Sequence, residues 1–325
     1  MEWVRAPGSC GELVQGAPAG RWLQVPCPVD RWARAHFTPD RENPAFRTPA
    51  VDADKALRAI RVVLRGVQDR APSRDAPEHL PIRGGRLDLH SPLPRGKGMG
   101  SSTADVTAAA GAALNALGHP LEPNLLARVA LSVEPSDGTM FPDLTLFDHR
   151  EGRIREELGP PPPLRIVAVE PPEEVDTEAF NRRVSGSDRA GPELVSGWNR
   201  AFREARRAIR TGDPQQLGHA ATASSRLHQA LLPSPLLTPL LRVVRLSGAV
   251  GLNRAHSGTV FGLLFAPGFG RPGLVSELLA REELDFLRIH DLKLIPGGLR
   301  RDEWAAGTMS YADAPAPLAG PVPDQ

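Results

Sequence analysis

"HSPLPRGKGMGSSTADV", His90 to Val106, joins a predicted strand to a predicted helix, and its reading decides the fold. Gly96, Gly98 and Gly100 alternate through it, and Ser101, Ser102 and Thr103 open the helix. Glycine tolerates left-handed backbone, so such a loop can turn its N–H groups toward one point. The helix that follows aims the positive end of its dipole at the same place, which suits an anion. The hydroxyls can bind phosphate oxygens or a metal that accompanies them. The plainer alternative is a flexible turn capped by a serine. A Walker A loop is excluded, because Lys97 precedes the last glycine where that motif requires it to follow. A dinucleotide fingerprint fits poorly as well, since the spacing is G-x-G-x-G and no acid follows about twenty residues on.

Outward from the loop, "RLDLHS" (86–91) reads as the strand before it. "STADVTAAAGAALNALGH" (102–119) reads as a helix of small residues closed at Gly118, suited to a central position. Upstream, residues 3–37 read as short strands broken by Gly and Pro, followed by a polar loop at 38–50. "DADKALRAIRVVLRGV" (52–67) places Leu57, Ile60, Val63, Leu64 and Val67 at helical spacing. Downstream, "PNLLARVALSVE" (123–134) predicts a helix and "TLFDHREGRI" a hairpin. The four prolines of "GPPPPL" (159–164) forbid helix and inner strand, and mark a domain boundary. "RIVAVE" then predicts a strand, "PELVSGWNRAFREARRAIRTG" (192–212) an amphipathic helix, and 214–247 further helix. "TVFGLLFA" and "DFLRIHDLKLI" predict strands. The mixture implies an α+β protein of two lobes, residues 1–160 and 161–298, with a disordered tail at 299–325.

The chain has 325 residues and a formal net charge of +1, so no global field draws nucleic acid or an anionic membrane. The arginines of 192–212 read as a solvated helix face. Its two cysteines, Cys10 and Cys27, make no disulfide scaffold, and nothing resembles a secretory signal. The most apolar run, "TVFGLLFAP" (259–267), is too short to cross a bilayer. A soluble, cytoplasmic protein is expected. The basic residues are overwhelmingly arginine, the only lysines being Lys55, Lys97 and Lys293, which makes Lys97, inside the glycine loop, more noticeable. No H-E-x-x-H, C-x-x-C or G-x-S-x-G motif supports zinc hydrolysis or serine-hydrolase chemistry.

Three other stretches carry candidate chemistry. "APGSCGELVQG" (6–16) holds one acid, Glu12, in either a site or an ordinary hairpin. "SVEPSDGT" (132–139) sets Glu134 at a helix end and Asp137 in the next turn. Two such acids can share a cation or divide the roles of metal ligand and base, or simply be solvated. "LNRAHSGTVFG" (252–262) is a polar turn with His256 and Ser257, where a merely structural histidine is the plainer reading.

In their order, "APGSCGELVQG", "PLPRGKGMGSSTAD" and "AHSGTVFGLLF" resemble the three motifs of the GHMP kinase superfamily. Within it, "SCGELVQG", "CPVD", "KGMGSSTAD", "SVEPSDGTMFPDLTLFDH" and "GLNRAHSGTVFGLLF" resemble the members that act on free L-threonine. The resemblance runs from about Pro7 to about Pro296. It implies a lobe like domain 2 of ribosomal protein S5 and a ferredoxin-like lobe, with the active site between them. It also implies ATP and Mg2+ as cofactors and O-phospho-L-threonine as product. That product would supply the aminopropanol linker of cobalamin, with a functional link to a threonine-phosphate decarboxylase.

By the same resemblance, Pro94, Arg95, Gly96, Lys97, Gly98, Met99, Gly100, Ser101, Ser102 and Thr103 would cradle the phosphates. Ser102 and Glu134 would hold the metal, and Asp137 would meet the substrate hydroxyl, with Asp143 and Asp148 in reserve. Glu12, Asp30, His256 and Ser257 are the candidates for the amino acid. Lys97 either adds charge at the phosphates or faces solvent, and Asp105 is at least a helix-dipole partner. "HSGT" departs from the superfamily's richer glycine pattern. A kinase for another small alcohol such as homoserine, and a non-catalytic nucleotide or amino-acid sensor, stand as alternatives.

Overall fold

Two long strands, β1 (Trp3–Gly16) and β2 (Leu23–Asp40), form the antiparallel pair on which the chain is built. Short pieces were expected here. The strands run on because their glycines and prolines are absorbed as register shifts, at Pro7/Gly8, Ser9/Glu12 and Glu12/Val14. The computed structural model describes residues 2–68, 82–175 and 191–303. β4 (Gly84–His90) extends the sheet beyond β2, and the short β3 (Phe46–Arg47) lies parallel to it. The loop expected at 38–50 is therefore partly sheet.

Helices α1 (Asp54–Gln68), α2 (Ser101–Ala116) and α3 (Pro123–Val133) bury their apolar residues in one cluster against this half. α2 sits directly on β1, as its small residues allow: a Cβ on Gly111 would lie 2.8 Å from Val4 Cγ1. Past its end Gly118 turns left-handed, with φ of 70°. β5 (Leu144–Phe147) and β6 (Arg155–Gly159) make the expected hairpin.

The prolines then lead into β7 (Arg165–Glu170). After α4 (Pro192–Thr211) come α5 (Pro214–His228) and α6 (Leu237–Ser247), so the 214–247 pattern is two helices, divided at Pro233 and Pro235. β8 (Gly251–Arg254), β9 (Phe261–Phe265), α7 (Val275–Arg281) and β10 (Arg288–Lys293) complete this half. The order β10-β7-β9-β8, all antiparallel, with helices after β7 and β9, is the ferredoxin-like arrangement. Its last strand bonds to β1, giving one path, β10-β7-β9-β8-β1-β2-β4-β3.

Trp198 of α4 closes the core beside β1, where a Cβ on Gly16 would fall 2.4 Å from its ring. Burying so large a ring contributes about 2–3 kcal/mol. The tail departs from expectation. Arg300–Asp302 form β11, paired with Trp3–Arg5, so the chain is ordered through that point, and residues 304–325 lie outside the described ones. Cys10 and Cys27 are buried free thiols. Among the described residues no helix is long and apolar enough to cross a membrane.

Candidate active site

The glycine loop is clamped from two sides. Gly96, Gly98 and Gly100 have φ of 69°, 82° and 67°, a conformation that side-chain-bearing residues avoid. β1 donates Ser9 N–H to Met99 O and Gly11 N–H to Gly98 O, both at 3.0 Å. From the other lobe, the β8–β9 turn donates Thr259 N–H and Val260 N–H to Lys97 O. Contact with that turn is so close that a Cβ on Gly258 would lie 2.3 Å from Gly98 N. The loop delivers the chain into α2 with Gly100 as the capping residue and no side-chain cap, which leaves the first N–H groups of the helix available for an anion.

Ser102 Oγ, in the first turn of α2, donates to Glu134 Oε1. Glu134 leaves the end of α3 in extended backbone, and its second oxygen meets Lys55 Nζ of α1 at 2.5 Å. Two hard oxygen donors side by side at a helix N-terminus fit Mg2+, which keeps few protein ligands and completes its shell with phosphate and water. Around them opens a cleft of about 690 Å³, bordered by Asp52, Lys55, Arg58, Arg95, Asp105 and Glu134. Burial pushes the Asp105 carboxyl up to about 6, against the opposing pull of Ser91 and Arg95.

On the other side of Ser102 lies a smaller cavity of about 130 Å³, where Glu12, Gln24, Asp137, His149, His256 and Ser257 meet the loop. Gln24 Nε2 donates to Asp137 Oδ1 at 2.7 Å, and Asp137 N–H donates to Thr103 Oγ1 at 3.1 Å, which ties the acid to the loop. Burial raises the Asp137 carboxyl and nearby Glu134 raises it further, while the Gln24 hydrogen bond holds it down. Glu12 is 5% exposed, and its Oε2 accepts no hydrogen bond. Burial first, and then Asp137, pushes it well above the usual carboxylate range. Burial lowers His256 well below its ordinary value and His149 to about 3, so both rings are neutral near pH 7. Gln15 Oε1 sits 2.7 Å from His256 Nδ1 and fixes that ring.

This arrangement has three carboxylates around a phosphate-sized cradle, a large cleft on one side and a small polar cavity on the other. Residues 56–141 match the model of the GHMP kinases N terminal domain. The chain is 35% identical to the L-threonine kinase of Salmonella typhimurium, over 91% of this chain and 94% of that one. It is 34% identical to the L-threonine kinase of Citrobacter freundii, over 92% and 99%. The chain belongs to the GHMP kinase family. Its fold also matches a solved homoserine kinase from Cytophaga hutchinsonii, with a TM-score of 0.65 at 16% identity, over 92% of this chain and 96% of that one.

In this GHMP kinase not every residue singled out in the sequence reaches the site. Lys97 is 6% exposed, so it does not face solvent, and it does not face the cleft either. Its ammonium donates to the carbonyls of Pro171, Pro172 and Glu173 at 3.1, 2.6 and 2.8 Å, tying the loop to the end of β7. Lys97→Met should therefore cost on the order of 2 kcal/mol of stability, read as a lower urea midpoint. The salt dependence of the KM for ATP should stay unchanged; a weakened dependence would return the charge to the phosphates.

Asp30 accepts the Lys293 N–H at 2.9 Å on the surface, outside both cavities. Asp148 caps its own turn, accepting from the N–H groups of Arg150 and Glu151 and pairing with Arg21, so it is not a reserve base. Asp143 borders neither cavity, and nor does Pro94; Arg95 borders the large cleft, reaching Asp52 at 3.1 Å. The remaining candidates, Glu12, Ser102, Glu134, Asp137, His256 and Ser257, converge. Gln24, Lys55 and His149 join them without having been foreseen. Two of them carried a signal: His149 ends the motif "SVEPSDGTMFPDLTLFDH", and Lys55 is one of three lysines in an arginine-rich chain.

Proposed function

We propose that this chain transfers the γ-phosphoryl group of ATP to the side-chain hydroxyl of free L-threonine, giving ADP and O-phospho-L-threonine. Its place is in the supply of the aminopropanol linker of cobalamin, ahead of a threonine-phosphate decarboxylase. The observation that carries the reading is the small cavity, which joins the phosphate loop to Asp137 and to an unsatisfied buried carboxylate, Glu12. The names of its curated relatives support the substrate.

In this reading ATP lies in the large cleft, with its phosphates over the N–H groups at the start of α2. Ser102 and Glu134 would hold Mg2+, which would supply neutralisation of the phosphoryl charge. Lys55, already paired with Glu134, adds a cation beside the transferring group. L-Threonine lies in the small cavity with its ammonium on Glu12. That pairing favours the charged form of a carboxyl that burial pushes upward. The hydroxyl faces Asp137, which orients it and accepts its proton as the oxygen–phosphorus bond forms and the bond to the β-phosphate oxygen breaks.

The test is ADP release with Mg-ATP against L-threonine, L-serine, L-homoserine and mevalonate, the product being identified by mass. Preference for L-threonine is expected. Preference for homoserine would overturn the substrate, and nucleotide binding without turnover would favour a sensor. Asp137 has its own check. Gln24→Leu removes the N–H that favours the charged carboxylate, so the acid limb of kcat/KM should move to higher pH. An unmoved limb would take Asp137 out of the proton transfer.

A further inference from the structure

His149 is 4% exposed and lines the small cavity, yet neither of its ring nitrogens has a hydrogen-bond partner among the described residues. Leaving such groups dry carries a desolvation cost that a phenylalanine of similar shape would avoid. Two of the neighbouring polar side chains are committed elsewhere. Gln24 is committed to Asp137 and His256 Nδ1 to Gln15. The backbone around His149 is fixed, since its carbonyl accepts the Ser136 N–H at 2.9 Å, next to Asp137. The ring packs against His256 with centroids 4.9 Å apart, and the Glu12 carboxylate takes its own backbone hydrogen bond from His256. Glu12, with an unsatisfied oxygen, and His149, with unsatisfied nitrogens, thus flank the same residue at the same end of the cavity.

An α-amino acid carries its ammonium and its carboxylate on one carbon, so their partners have to be neighbours. Glu12 suits the ammonium and repels the carboxylate. The remaining acids of the site, Glu134 and Asp137, repel it too, and the loop hydroxyls adjoin the phosphates. A neutral imidazole has one N–H to give. We infer that His149 donates a ring N–H to the α-carboxylate of the substrate, and so selects an amino acid over an amino alcohol that has the same hydroxyl. The inference rests on the reading of the site as one that phosphorylates L-threonine.

The experiment uses the full chain with Mg-ATP and compares L-threonine with (R)-1-aminopropan-2-ol, which keeps the ammonium and the hydroxyl and lacks the carboxylate. The amine is measured as an inhibitor competing with L-threonine. His149→Ala should raise the KM for L-threonine about tenfold to a hundredfold, the range for one hydrogen bond to a charged group. Its kcat should change less than threefold, and the Ki of the amine less than twofold. His149→Gln, which keeps a donor, should recover part of the loss. Should His149→Ala fail to bind nucleotide, and so to fold, His149→Phe makes the same comparison. A KM and Ki that rise together, or that both stay put, would overturn the assignment to the carboxylate. Wild-type protein with no turnover of L-threonine would bring down the functional reading itself, and this inference with it. The wild-type measurement alone separates the two failures.

Discussion

Replacing Glu134 by glutamine should lower kcat by about two to three orders of magnitude while the fold stays intact. Glu134 links two helices of the site: Ser102 of α2 donates to one of its oxygens and Lys55 of α1 to the other. Glutamine can still accept from Ser102. Its NH2 group, however, meets Lys55 donor to donor and offers no charge to a divalent cation. The stability term is small, because Lys55 is 42% exposed and such pairs contribute about 1 kcal/mol or less. Single-turnover rates at rising Mg2+ concentration are the direct readout, with the half-saturating concentration shifting upward in the variant. Ser102→Ala should act in the same direction. A Glu134→Gln enzyme with wild-type kcat would exclude the metal assignment.

The second large effect belongs to Gly98→Ala. At φ of 82° an alanine is strained, and its Cβ would lie 2.2 Å from Ala255 Cβ across the lobes. The neighbour is a buried backbone-borne methyl, so relief requires moving either the loop or the β8–β9 turn, and the Gly11 N–H bond to Gly98 O resists. A loss of roughly 3 kcal/mol or more is expected, together with nucleotide binding weakened at least tenfold. Gly118→Ala supplies the control. Its φ is 70°, but a Cβ there meets nothing within 4 Å, so about 1 kcal/mol is expected. Urea midpoints compare the two. Equal shifts would mean that backbone strain alone, and not the contact between lobes, makes Gly98 necessary.

Local chemistry was legible and long-range chemistry was not. The loop, α2 and the hairpin of β5 and β6 follow from side-chain period and from glycine. The starts of α1 to α4 came within two residues, but α2 ends three residues sooner than expected, the pattern over 214–247 is broken, and α7 was not expected at all. β8 escaped notice: four residues, two of them polar, show no alternation, and Asn253 is buried because it donates to Cys10 O of β1, far away in sequence. The length of β1 was hidden by Pro7, Gly8 and Gly11, which look like breaks until the bulges that absorb them are seen. In the site, Glu12, Ser102, Glu134, Asp137, His256 and Ser257 were singled out from their motifs and converge, whereas Gln24, outside the quoted motifs, and His149, the last residue of one of them, were not singled out. Each is an ordinary residue until the fold sets it beside Asp137 or Glu12. Lys97 shows the reverse error. Its place inside the glycine loop suggested phosphate, but its length carries the ammonium to the carbonyls of another segment.

The position of β1 also bears on how the chain is made. β1 is made before β2, which can cover one of its edges at once. The other edge waits for residues 251–254 and 300–302, synthesised long afterwards. Until then the nascent protein presents open backbone at the centre of its future sheet, a template for pairing with other chains. A product that stops at the proline run keeps that edge exposed for good. The two halves, separable on paper at Pro160, are not equal partners in folding: the second completes the first.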